Sequence, residues 1–162
     1  MFDKDTWNTP PGILASVRKV NFIALDPCSN ATSLVQADRE FRLERGEDGL
    51  VNGWDTPNHN GLVFVNPPYS RGNYFKWCKK IVSEANCGCE IIALVPANIE
   101  TKAWGYLWLA DAVCFPSKRI RFLVDGKPKG TPKQGSGIVY FGKNQERFGE
   151  VFLEHGKVIY DP

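Results

Sequence analysis

Asn66-Pro67-Pro68-Tyr69 follows directly on the apolar run Leu62-Val63-Phe64-Val65. Each proline fixes φ near about −65° and pushes the residue before it towards extended backbone. One polar side chain and one aromatic ring are thereby presented in a set relation, as a preorganised site requires. A rigid turn with a packed tyrosine is the purely structural alternative. A second polar-proline stop, Asp26-Pro27-Cys28-Ser29-Asn30, ends the apolar run Asn21-Phe22-Ile23-Ala24-Leu25. Other reactive residue types are sparse. His59 and His155 are the only histidines, and neither has a Ser, Cys or Asp spacing that suggests a nucleophile with its base. Cys28, Cys78, Cys87, Cys89 and Cys114 lack paired C-x-x-C spacing, so all five are read as reduced thiols and no metal site is expected.

The net charge is only +2, but its distribution is uneven. Between Pro116 and Gly137 the basic residues Lys118, Arg119, Arg121, Lys127, Lys129 and Lys133 stand against the single acid Asp125. The stretch from Asp125 to Gly137 is rich in Gly, Pro and Lys, too broken for a helix or central strand, and reads as a long mobile loop. Such a loop is either a solvated connection or an arm that contacts phosphates.

The elements that must hold these residues alternate between short apolar runs and helical patterns, which indicates an α/β domain on a largely parallel sheet. Strands are expected at Asn21–Leu25, Leu62–Val65, Glu90–Val95, Ala112–Phe115, Ile120–Val124 and Ile138–Phe141. The pair flanking the basic loop is expected to be an antiparallel hairpin at one edge. Helical spacing occurs at Tyr74, Trp77, Ile81, Val82 and Ala85, again from Thr101 through Trp108, and at Phe148, Val151 and Phe152, with Gly156 as a C-terminal stop. In open α/β sheets, ligands bind at the C-terminal ends of strands, where both polar-proline loops fall.

At 162 residues, 43% hydrophobic and 23% charged, the chain is expected to form one domain, residues 1–162, with no separate target-recognition domain. No run approaches the roughly 20 apolar residues of a membrane span, and Met1-Phe2-Asp3-Lys4-Asp5 lacks a signal-peptide layout. A soluble, intracellular protein without membrane contact is expected.

The four-residue motif resembles the Asp/Asn/Ser-Pro-Pro-aromatic signature of S-adenosylmethionine-dependent amino-methyltransferases. In order along the chain, Trp7-Asn8-Thr9-Pro10, Leu25-Asp26-Pro27-Cys28, Asp48-Gly49-Leu50, Trp54, Asn66-Pro67-Pro68-Tyr69-Ser70, Leu94-Val95-Pro96-Ala97, Thr101 with Trp104, and Arg119-Ile120-Arg121-Phe122 resemble the phage and prophage DNA N6-adenine methyltransferases. The resemblance implies a Rossmann-like methyltransferase fold with helices on both faces, S-adenosylmethionine as cofactor and DNA as partner. It also implies a place in the cytoplasm of a bacterial host. The sequence does not decide the oligomeric state, monomer or weak dimer.

An exocyclic adenine amine has its lone pair delocalised into the ring and is a poor nucleophile. By the resemblance, the Asn66 side-chain oxygen and the Pro67 carbonyl accept its two N–H bonds, Pro68 stiffens the loop and Tyr69 stacks on a base flipped out of the duplex. Asp26 would meet the cofactor's ammonium group, and Thr9 and Pro10 its carboxylate. Cys28, with Ser29 and Ala31, supplies small residues where relatives usually carry a glycine-rich turn that is missing here. Asp48 and Asp55 compete for the ribose or adenine edge, and spacing does not decide between them. Arg119, Arg121, Lys127, Lys129 and Lys133 would meet DNA. The alternatives are a methyltransferase acting on an RNA base amine or a protein glutamine, or a non-catalytic DNA-binding decoy with this fold.

Overall fold

The apolar runs become the middle of a seven-stranded sheet in a computed structural model that describes residues 6–55, 60–70, 72–130 and 132–162. Met1–Asp5 and His59, on which parts of the sequence reading fall, lie outside the described residues. The strands are β1 (Ile23–Asp26), β2 (Arg39–Glu40), β3 (Leu62–Val65), β4 (Glu90–Pro96), β5 (Ala112–Pro116), β6 (Leu123–Val124), β7 (Lys127–Pro128), β8 (Ser136–Phe141) and β9 (Gly156–Tyr160). The helices are α1 (Pro11–Val20), α2 (Asn73–Asn86), α3 (Trp104–Leu107) and α4 (Gln145–Phe152). The main sheet has the order β2-β1-β3-β4-β8-β5-β9, and β6 with β7 forms a separate two-stranded hairpin.

Strands β2, β1, β3 and β4 are parallel neighbours. β8 runs antiparallel between β4 and β5, which leaves β5 in the direction of β4, and β9 closes that edge antiparallel to β5. The sheet is thus mostly parallel, and its pleat divides each central strand between two cores. Leu62, Phe64, Ile92, Leu94, Ile138 and Tyr140 face α1 and α4. Val63, Val65, Ile91, Ala93, Val95, Val113 and Val139 face α2 and α3. All four residues of β3 are buried, as expected for a strand covered on both faces. Burial of each such side chain contributes about 1.5–3 kcal/mol, which anchors the loop that follows β3.

Three expectations are corrected. Ile120–Val124 does not pair with Ile138–Phe141. Ile138–Phe141 lies inside the sheet, and only Leu123–Val124 is a strand, pairing with Lys127–Pro128. The antiparallel edge is formed by β5 with β9. The segment after Val124 is not a long open loop, because Asp125 (φ 50°) and Gly126 (φ 72°) close a two-residue hairpin turn, the type I′ geometry that Asp-Gly favours. Finally, Gly156 does not stop α4. The helix ends at Phe152, and Gly156 opens β9, with its backbone so close to Phe115 and Pro116 that a Cβ would collide.

Candidate active site

Parallel pairing aligns the C-terminal ends of β1, β3 and β4, so the loops at Asp26, Asn66 and Ala97 emerge along one sheet edge. The first two touch. Cys28 donates its Sγ–H to the Asn66 carbonyl at 3.2 Å, and burial pushes that thiol well up, which keeps it neutral. Asp26 is itself 4% exposed. Its carboxylate accepts the Cys28 N–H at 3.2 Å and the Ser33 hydroxyl at 3.3 Å. Burial outweighs these hydrogen bonds and lifts the carboxyl to about 6.

The Asn66 amide is oriented by the opposite wall. Asn66 Nδ2 donates to the Trp7 carbonyl at 3.0 Å, which turns Oδ1 the other way. Tyr69 is anchored by its hydroxyl, which donates to the Leu94 carbonyl at 3.1 Å and lies 3.4 Å from Asn66 Oδ1. Its ring stands nearly perpendicular to Tyr74 and to Phe122, with centroids 5.9 and 6.4 Å apart. Pro67 is buried and Pro68 half-buried. Among the described residues no backbone donor takes the Pro67 carbonyl. The Ser70 carbonyl then accepts the N–H groups of Asn73 and Tyr74, so the loop runs straight into α2.

The segment Trp7-Asn8-Thr9 forms that wall. The Asn8 N–H and C=O exchange hydrogen bonds with Leu123, both 2.9 Å. Asn8 Nδ2 donates to the Thr32 carbonyl and hydroxyl, and Asn8 Oδ1 accepts from Asn30 Nδ2 at 2.9 Å. Thr9 is 2% exposed, yet its hydroxyl has no partner among the described residues. Pro10 precedes α1 and, with Arg119 and His155, lines a surface pocket of about 330 Å³ that includes neither Asn66 nor Asp26. His155 also bonds the buried Ser16 hydroxyl at 2.7 Å. Glu154 approaches the same imidazole nitrogen, Nε2, instead of Nδ1, so the three do not form a nucleophile–base relay.

The two competing acids separate in space. Asp48 is half-buried, with Oδ1 capping the Leu50 N–H at 2.8 Å. The adjoining Gly49 packs so tightly on the Pro27 carbonyl that a Cβ would collide, which sets Asp48 beside the Asp26 loop. Asp55 is exposed, and its backbone carbonyl accepts from Arg39 at 3.0 Å. A third acid was not foreseen. Glu40 ends β2 in register with Asp26, accepts the Ser29 hydroxyl at 2.8 Å and pairs with Arg42 and Arg45. A two-residue strand leaves almost no periodicity in a sequence, and only the acid some 14 residues past Asp26 hinted at it.

The basic segment lies at this same edge. β5 ends there at Pro116, and β8 begins there at Ser136 opposite Pro96. Ile120 and Phe122 are buried while Arg119 and Arg121 are exposed, an alternation that pins one side of the segment. Phe122 packs on Trp7 at 5.7 Å, and Lys129 Nζ sits 5.1 Å above the Trp7 ring. Lys127 and Lys133 are exposed.

A rigid polar-proline loop, a buried acid one strand away and a basic segment packed on Tyr69 and Trp7 are what methyl transfer within a polyanion calls for. No curated protein sequence matches the chain. The family model of DNA N-6-adenine-methyltransferase (Dam), however, spans residues 2–148 and so covers every element that builds this site, and the chain belongs to that family.

Proposed function

We propose that this DNA adenine methyltransferase binds S-adenosylmethionine at the ends of β1 and β2 and methylates an adenine swung out of the base stack against Asn66, Pro67 and Tyr69. The observation that supports the reading is the contact between the two loops, Cys28 Sγ on the Asn66 carbonyl, which joins the loop read as the methyl donor's to the loop read as the amine's. The residues present suit the donor. Among the described residues, Asp26 is a buried carboxylate with no cation against it, Thr9 offers a buried and unpartnered hydroxyl, and Pro27 with Gly49 leaves a close-fitting backbone. Asp26 would hold the ammonium group, Thr9 and Pro10 the carboxylate, and Asp48 the ribose or adenine edge in preference to the exposed Asp55. Glu40, at the end of the neighbouring strand, suits a ribose hydroxyl by the general logic of dinucleotide folds.

When bound, the cofactor supplies an electrophilic methyl group on a sulfonium. The protein's part is to hold the amine. Asn66 Oδ1 and the Pro67 carbonyl accept its two N–H bonds and leave the nitrogen lone pair aimed at the methyl. Asn66 is neutral, so no anion is buried and no strong base is required. Once methylated, the nitrogen is cationic and acidic, and it gives one of its protons, held at Asn66 Oδ1 or the Pro67 carbonyl, to water. Tyr69, tethered to Leu94, offers an aromatic surface that offsets the unstacking cost of a few kcal/mol. The exposed Arg119, Arg121, Lys127 and Lys133, with Lys129, meet phosphates around it. We take the place of action to be a bacterial cytoplasm, in keeping with the resemblance to phage and prophage enzymes. Incubating the protein with DNA and methyl-labelled S-adenosylmethionine, then digesting to nucleosides, tests the reading. The label should appear in N6-methyl-2′-deoxyadenosine with wild type and vanish with Asn66→Ala, and equal labelling by both would overturn it.

A further inference from the structure

We propose that the Trp7 backbone carbonyl is the positioning group that sets the Asn66 amide for its work, and that it makes this position selective for asparagine over aspartate. The inference rests on the reading of Asn66 as the acceptor for the substrate amine. A backbone carbonyl can only accept a hydrogen bond, so the group 3.0 Å from the Trp7 oxygen must be a donor. An asparagine supplies it through Nδ2 and thereby presents Oδ1 to the substrate. An ionised aspartate has no donor: one carboxylate oxygen would face the Trp7 oxygen, two acceptors in a half-buried site.

The carbonyl cannot easily turn away. Its peptide is followed by Asn8, bonded through its backbone to Leu123 in both directions and through its side chain to Asn30 and Thr32. Its ring is held between Phe122 and Lys129. The wall that orients the catalytic amide is therefore fastened both to the loop after β1 and to the base of the basic hairpin.

A protonated aspartate would satisfy the same geometry, its O–H donating to Trp7 and its carbonyl oxygen accepting from the amine. This gives a pH signature that a merely structural role lacks. Among the described residues, the titratable or charged groups facing Asn66 are Cys28 and Tyr69, both raised by burial and neutral, Asp26 behind Cys28, and Lys129 over Trp7. All are common to wild type and variant, so their titration cancels in a ratio. The experiment measures kcat of wild type, Asn66→Asp and Asn66→Ala between pH 6 and pH 8.5, with folding checked by circular dichroism. Asn66→Asp should be at least tenfold slower than wild type at pH 7.5, and the ratio of variant to wild type should climb towards tenfold per unit as pH falls. A ratio that is flat, whether near one or near zero, overturns the role of Trp7. If Asn66→Ala turns over like wild type, the reading of Asn66 itself fails, which is a separate result. Should the aspartate variant not fold, nitrogen-15 spectra of wild type decide. The Asn66 Nδ2 protons should include one shifted downfield and slow to exchange, with a cross-peak to Trp7, and a freely exchanging pair overturns the inference.

Discussion

Burial holds the Asp26 carboxyl at about 6 against an ordinary 3.8, and the sign of that shift separates its structural cost from its use. A raised acid favours its neutral form in the fold. Above pH 6 the folded chain therefore carries the cost of a buried charge, and that cost fades as pH falls from 6 towards 4. An ammonium group beside the carboxylate reverses the preference. Cofactor affinity should hence be level above pH 6 and fall by up to tenfold per unit below it, as calorimetry with S-adenosylhomocysteine would record. Asp26→Asn should weaken that binding at least tenfold at pH 7.5 while raising stability by about 1–2 kcal/mol at pH 7, a gain that disappears near pH 4. A variant that loses stability and keeps cofactor affinity would contradict the assignment. Asn66→Ala and Tyr69→Ala should each lower kcat by two orders of magnitude or more, since each loses an aligned contact worth a few kcal/mol, with cofactor affinity kept. The positions of Asn66 and Tyr69 at the end of β3 were legible in the sequence because two prolines make their geometry local. Those of Trp7 and Glu40 were not. Trp7 meets Asn66 through a carbonyl that every residue type has, and Glu40 meets Asp26 through a strand pairing that no sequence spacing records.

At the scale of elements, long apolar runs announced β3, β4, β5 and β8, and helical spacing announced α2 and α4. Helix α1 carries equally plain signals, Pro11 at its first position and Ile13, Leu14, Val17 and Val20 on one buried face, but they follow a second proline that suggests a loop. The insertion of β8 between β4 and β5 was beyond local reading, because a buried strand looks the same whichever way it runs. The Asp125-Gly126 turn was in the sequence as a hairpin signal and was outweighed by the Gly, Pro and Lys content around it. That turn is also where a prediction belongs. Gly126 has open space around it but a φ of 72°, so Gly126→Val strains the backbone by about 1–2 kcal/mol without any clash. The cost falls on the hairpin, whose root is the Asn8–Leu123 ladder. DNA affinity should drop several-fold by fluorescence anisotropy while cofactor affinity stays within twofold. Equal losses of both would show that the hairpin supports the whole edge of the sheet instead of the DNA side alone.

Over the whole molecule, charge is segregated. The stretch from Pro116 to Gly137 carries net +5 in a chain of net +2, so the remainder is net acidic and the stretch is the main local source of positive charge. The sheet topology puts that stretch beside Asn66, because β5 ends and β8 begins at the edge where β3 ends. Attraction and chemistry therefore share one side of the protein. Each phosphate neutralised by a lysine releases condensed counterions, which makes the logarithm of DNA affinity fall with the logarithm of salt concentration by about 0.9 per contact. Changing Lys127 and Lys133 to alanine should flatten that slope by about two, and adding Lys129→Ala should flatten it by about one more if each lysine meets one phosphate. None of the three reads a base, so the preferred sequence, measured by mapping methylated adenines on a mixed-sequence plasmid, should be the same for the triple variant as for wild type. An unchanged slope would return the hairpin to a solvated connection and move the search for the DNA-binding surface to Arg119 and Arg121, the exposed partners of buried Ile120 and Phe122.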